Sequence, residues 1–275
     1  MMTLVEQLAQ FEVKHIDLAG VQQSYREAGQ GPDLVLLHGI SSGSGAWLKQ
    51  LQALSPHFHV LAWDAPGYGQ SDVLATDQPN ALDYAHRLKA WLDALGVKQV
   101  ILLGHSLGAM QAAAFQASYP EYVRALILAN PAQGYYSADA AQQAEVYAKR
   151  PQMLQQLGAI GMAKLRGPHL AAHCSAEVLH LITVMMQGIG LAGFTAASYL
   201  LAYDAIKRYL RPQQAHTHVI KAMLDGITPP QDIQDLADQF QLQSCYALEQ
   251  AGHLSYLDQA TQFNQILLSL HDAKM

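Results

Sequence analysis

A serine framed by glycines is the sharpest chemical feature of this 275-residue sequence. Gly104-His105-Ser106-Leu107-Gly108 follows the apolar run Val100-Ile-Leu-Leu103 and opens a small-residue stretch of helical character from Leu107 to Ser118. A strand entering and a helix leaving so sharp a turn put the serine hydroxyl at its apex, and the crowded turn needs small residues on both flanks. The helix behind it offers a positive dipole end and free backbone N–H groups. A hydroxyl is a weak nucleophile unless a base takes its proton and an acid orients that base. His253, in a loop between a strand-like run and the last helical stretch, is the predicted base. Asp225, in Asp225-Gly-Ile-Thr-Pro-Pro230, is the predicted acid; the interval to His253 has room for one helix and one strand. Asp258, close to His253 in sequence, and Asp204 are its rivals.

Acyl transfer also creates an oxyanion that needs two N–H donors. The Leu107 amide, directly after the serine, is one. The Ile40 amide is the other, in the loop His38-Gly39-Ile40-Ser41-Ser42-Gly43-Ser44-Gly45, where Gly39 lets the main chain turn. This loop lacks the Lys-[Ser/Thr] ending of a phosphate loop. His38 is expected to anchor the loop through its ring nitrogens, with substrate contact as the alternative, and His105 to pack behind the turn.

These groups come together only if the intervening elements carry them to one edge. Glu12–Leu18 and Val21–Arg26 have the pattern of paired strands. Asp33–His38, Phe58–Trp63, Val100–Leu103 and Arg124–Ala129 are short apolar runs of the kind found in buried parallel strands,. Helical spacing over Ala81–Leu95 and the Leu107–Ser118 stretch alternates with them. The expected fold is therefore α/β, with a mostly parallel sheet covered on both faces. From 132 to 211 the strands stop, and only helical stretches rich in Ala, Leu, Met, Gln and Tyr remain. Strand, helix, strand and helix then return at Thr217–Ala222, Gln231–Phe240, Ser244–Leu248 and Gln259–Leu270. The expected organisation is a core of residues 1–131 and 212–275 with a helical cap, 132–211, inserted after the sixth strand. The cap holds seven basic and four acidic residues, the core nine and eighteen. That contrast suits docking of the two parts and also attraction of an anionic substrate.

Composition excludes several classes. With 51% hydrophobic and 14% charged residues the chain is no disordered segment, and a net charge of -6 without a basic run gives nucleic acid no footprint,. Cys174 and Cys245 are too few for a disulfide framework, and Met1–Gln10 lacks a cationic start, so a cytoplasmic protein without a secretory signal is expected,. Val178–Tyr203 carries no formal charge and is long enough to span a bilayer, but Gly188, Gly190 and Gly193 favour two short helices joined by a bend,. His169 and His173 stand at zinc-binding helical spacing without a completing carboxylate motif, and Gly167-Pro168 should end a helix there, so no metal is expected,. His216 and His218 should share one strand face. His180 stands at helix-compatible spacing with His169 and His173, whereas His15, His57, His59, His86 and His271 sit in no motif.

Taken together, Leu36-Leu37-His38-Gly39, Asp64-Ala-Pro-Gly-Tyr-Gly-Gln-Ser71, Gly104–Gly108, Asp225–Pro230 and Gly252-His253 resemble the α/β-hydrolase superfamily over nearly the whole chain. The resemblance implies an eight-stranded mostly parallel sheet, a Ser106–Asp225–His253 triad, no cofactor, and structural roles for Asp64 and Ser71. Serine at the elbow separates the chain from the capped dehalogenases and epoxide hydrolases, which use aspartate. The His38–Gly45 loop and Gly193–Asp204 look similar to the enol-lactonase-like branch, whose lactones carry a carboxylate; Arg150 and Arg166 are candidate partners for one. Ala215-His-Thr-His-Val-Ile-Lys221 departs from the family's fully apolar strand and puts the register around Asp225 in question. The expected reaction is hydrolysis of a small, largely apolar carboxylic ester or (enol-)lactone through an acyl-enzyme. Carbon–carbon bond hydrolysis of a vinylogous diketone on the same triad is the alternative. A cofactor-free oxygenase and a low-turnover ligand receptor are lesser ones.

Overall fold

A computed structural model describes residues 2–214 and 216–272. Met1, Ala215 and residues 273–275, which the expected core segments and the Ala215–Lys221 run include, lie outside the described residues.

The chain opens with α1 (Leu4–Leu8), started by a reciprocal capping box of Thr3 and Glu6,. The hairpin β1 (Lys14–Asp17) and β2 (Gln22–Ala28) follows, then β3 (Asp33–Leu37), α2 (Leu48–Leu54), β4 (His59–Trp63) and α3 (Ala81–Ala94). Next come β5 (Val100–His105), α4 (Leu107–Ser118) and β6 (Val123–Ala129). Three helices without a strand follow: α5 (Ala140–Leu170), α6 (Ala176–Gln187) and α7 (Leu191–Tyr203). The chain closes with β7 (Thr217–Ala222), α8 (Pro230–Phe240), β8 (Ser244–Leu248), α9 (Ser255–Asp258) and α10 (Ala260–Asp272).

All eight strands join one sheet in the order β1-β2-β4-β3-β5-β6-β7-β8. The β1–β2 and β2–β4 pairings are antiparallel and the rest parallel, so the fold is the expected mostly parallel eight-stranded α/β sheet. The apolar runs of β3, β5 and β6 are almost wholly buried because helices cover both faces,. From β3 the chain crosses to β4 on one side and to β5 on the other. This reversal opens a crevice beyond the carboxyl ends of β3 and β5, where ligands settle in such sheets. Those two ends carry the Gly39–Ile40 loop and Ser106.

The charge-free run Val178–Tyr203 folds as two helices: α6 ends at Gly188, and Gly190 caps α7. Among the described residues no helix is long and apolar enough to cross a membrane. The expected helix end at Gly167-Pro168 is not found, because α5 runs on to Leu170 with Pro151 and Pro168 inside it. Its real break is at Gly158, whose φ of 63° and ψ of 176° kink the helix. His216 is likewise not on a strand face. It precedes β7 with φ 55°, whereas His218 lies buried within the strand. Despite those histidines, β7 pairs in parallel with β6 from Leu126–Thr217 to Ala129–Ile220, and Asp225 follows just beyond the strand's end at Ala222.

Several contacts tie α5–α7 to the rest. At Gly67, φ is +79° and an added Cβ would lie 2.3 Å from Gly193 Cα, so the loop after β4 and the start of α7 meet backbone to backbone. Asp204, at the end of α7, accepts the Ala81 N–H at the start of α3 at 2.9 Å. Asp258 accepts both the Ala172 and the Gly252 N–H at 2.8 Å.

Candidate active site

The serine turn is held by close packing. A Cβ on Gly104 would lie 2.2 Å from the Gly108 carbonyl oxygen, and one on Gly108 would lie 2.4 Å from that of Leu37. Ser106 itself takes φ 54° and ψ −117°, a conformation L residues rarely adopt. It is fixed from both sides: its N–H donates to Ala129 O at 3.0 Å, and its carbonyl accepts from Ala109 at 3.0 Å and Ala132 at 3.1 Å. Strain of this kind persists only where the surroundings over-determine it.

Asp225 collects five donors. Oδ1 accepts the Ile227 and Thr228 N–H groups at 2.7 and 3.0 Å. Oδ2 accepts Thr228 Oγ1 at 2.6 Å, Asn130 Nδ2 at 2.8 Å and His253 Nδ1 at 2.8 Å. Burial alone would raise the carboxyl pKa, but the hydrogen bond and charge of His253, with the Thr228 donors, outweigh it and hold it far below the usual range,. A carboxylate only accepts, so His253 carries its proton on Nδ1 and keeps a basic Nε2. Asn130 extends the network by accepting Ser255 Oγ at 2.6 Å, tying the acid to the segment after His253.

His105 lies behind the turn, its ring 4.8 Å from that of His253. Its Nε2–H donates to the His253 carbonyl at 2.8 Å, which leaves Nδ1 bare and buried. Burial first, then the charge of His253, push its pKa down to about 3, so it is neutral. His38 has both nitrogens engaged: Nδ1–H donates to Gly39 O at 2.8 Å, and Nε2 accepts the Ala65 N–H at 2.9 Å. It does not line the cavity. Its candidacy for substrate contact is corrected on that ground, and the anchoring role is the one the bonds describe.

Ser106, His253, Ile40 and Leu107 line one cavity of about 450 Å³, with Leu181, Ile182 and Met185 from α6 opposite. A Cβ on Gly39 would lie 3.1 Å from Ser106 Cβ, so the Ile40 loop runs directly against the serine turn. Neither the Ile40 nor the Leu107 amide donates to another described protein group. No hydrogen bond joins the Ser106 hydroxyl to the His253 ring; between such pairs the bond commonly tightens only around substrate,.

The rival acids are spent elsewhere. Asp258 bridges Ala172 and Gly252, and Asp204 holds Ala81, Arg208 and Tyr209. Asp64 and Ser71 bind each other, Ser24 and the Ser44 amide, as structural residues would. Arg150 and Arg166 both line the cavity. His169 sits in the last turn of α5 and His173 beyond its cap at Ala171, so the helical spacing that would pair them does not exist. Among the described residues no three His, Cys, Asp or Glu side chains cluster as a metal site. Asn130 escaped sequence reasoning, because nothing local links it to Asp225, 95 positions away.

Residues 32–260 match the family model described as alpha/beta hydrolase fold, and the chain belongs to that family. It is 33% identical over 124 residues to a 2-hydroxy-6-oxo-6-phenylhexa-2,4-dienoate hydrolase of Comamonas testosteroni, an alignment covering 44% of this chain and 43% of the relative. It is 28% identical to an (E)-2-((N-methylformamido)methylene)succinate hydrolase of Acinetobacter baylyi, covering 63% and 64%. The alignments thus span from about two fifths to just under two thirds of these curated relatives. Among solved structures, a thermophilic esterase from Thermogutta terrifontis superposes with a TM-score of 0.81 at 23% identity, covering 94% of this chain and 99% of that one. The enol-lactonase from Burkholderia xenovorans LB400 gives 0.77 at 19%, with the same coverage. At these identities the superpositions speak to the fold alone.

Proposed function

We propose that this protein is a serine hydrolase that opens a small carboxylic ester or (enol-)lactone through an acyl-enzyme. Ser106 Oγ attacks the carbonyl while His253 Nε2 takes its proton. The Ile40 and Leu107 amides receive the oxyanion; losing one such donor typically costs about 10²–10³ in rate. His253 then protonates the leaving alkoxide or enolate. Water, deprotonated by the same nitrogen, releases the acid and frees Ser106. Asp225 keeps the imidazole in the tautomer this requires and stabilises its cation. Residues 132–211 act as a cap over the core segments 1–131 and 212–275, with Arg150 and Arg166 as substrate-binding side chains. The observation that carries the reading is the five-donor Asp225 carboxylate bonded to His253 Nδ1, while His253 and Ser106 line one cavity.

A second reading is favoured by a specific likeness: relatives named as hydrolases of 2-hydroxy-6-oxo-dienoates cleave such compounds. The same triad would then break a carbon–carbon bond. Labelling by a fluorophosphonate probe tests the shared premise. Wild type should react and Ser106→Ala should not; an unreactive wild type overturns it. Turnover of p-nitrophenyl esters, enol lactones and ring-cleavage dienones by the same preparation then ranks the two substrate classes.

A further inference from the structure

Two half-buried cations in the cavity have no counter-ion among the described residues. Arg150 and Arg166 both line it, the Nε of each is buried without a partner, and no described carboxylate forms an ion pair with either. The remaining charged lining residues outside the His253–Asp225 pair, Lys207, Asp232 and Asp235, are exposed, and solvent screens them. Drawing an uncompensated guanidinium even partly out of water is costly, and two facing one cavity repel each other as well,. Burial, then the charge of Arg166, lower the Arg150 pKa to about 10, so both remain cationic at neutral pH.

The fold goes out of its way to place them together. On a straight helix, positions 150 and 166 would be separated by roughly 24 Å. The kink at Gly158, midway between them, turns the two halves of α5 toward the same space. A single carboxylate would neutralise one guanidinium and leave the other unpaired. Guanidinium forks bind carboxylates in bidentate fashion, so two of them match two carboxylates.

We infer that Arg150 and Arg166 form a dianion site, and that the molecule hydrolysed carries two carboxylates besides its scissile bond. The second half of this inference rests on the hydrolase reading above; the anion site itself does not. The test is calorimetric titration at pH 7.5 and low ionic strength with malonate, succinate and glutarate, each compared with butyrate. Wild type and Ser106→Ala should both bind at least one dicarboxylate with 1:1 stoichiometry and about 30-fold more tightly than butyrate. Arg150→Gln and Arg166→Gln should each erase that preference. Equal affinity of wild type for butyrate and all three dicarboxylates overturns the inference, and this comparison needs no variant to fold. A preference that survives in folded Arg150→Gln or Arg166→Gln overturns it too. Wild type that reacts with the fluorophosphonate but ignores dicarboxylates leaves the hydrolase standing and removes the dianion site. Dicarboxylate binding without labelling does the reverse.

Discussion

Five donors converge on Asp225, and they make the acid sensitive to the loss of a single charge. In Asp225→Asn the new amide would favour the wrong His253 tautomer, and turnover of an activated ester should fall by about 10³–10⁴. A fall below tenfold in steady-state kcat would remove Asp225 from the mechanism. His105 gives a second, independent reading through pH. Its folded pKa of about 3 lies below the ordinary value of 6.5. Between those values the unfolded chain binds a proton that the folded chain refuses, so stability should fall as pH drops through this window. Denaturant midpoints from pH 7 to 4 should show that slope, and His105→Gln should flatten part of it. Ser106, His253 and Asp225 were legible because each sits in a short motif at the end of an apolar run. Asn130 was not, since a neighbour made by sheet order leaves no local trace. For His38 the sequence offered loop anchoring first and substrate contact as the alternative, and its two backbone bonds use up both ring nitrogens.

At the scale of elements, glycines decide where the chain turns. A Cβ on Gly104 would collide with backbone that has no room to shift, so Gly104→Ala should not yield soluble folded protein. Gly158 differs, because nothing lies within 4 Å of an added Cβ there and only its backbone angles resist a side chain. Gly158→Ala should therefore fold with a loss of about 1–3 kcal/mol in chemical denaturation. A variant as stable as wild type would mean that the kink in α5 needs no glycine. The parallel strands were readable from their apolar runs, which follow from burial on both faces. The course of α5 was not, because Pro168 argued for a stop and packing of α5 against its neighbours carried the helix past it.

For the whole molecule, the question is whether α5–α7 and the sheet behave as one cooperative unit. The chain's three tryptophans, Trp47, Trp63 and Trp91, are fully buried in the core, and none falls within 132–211. Tryptophan fluorescence therefore follows the sheet, while far-ultraviolet circular dichroism also follows the added helices. The backbone contact of Gly67 with Gly193 and the carboxylate ties of Asp204 and Asp258 predict coincident unfolding curves by the two signals,. A helical transition that precedes the fluorescence change would show that α5–α7 melt on their own. The ties also have a direction. At the far end of α5, Asp258 holds Ala172 and Gly252 with one oxygen, and Leu254 N–H donates to Leu170 O at 2.9 Å. Those bonds bracket His253. On the proposed mechanism, lifting that corner would displace the loop that carries His253 and so cost the base its place beside Ser106,.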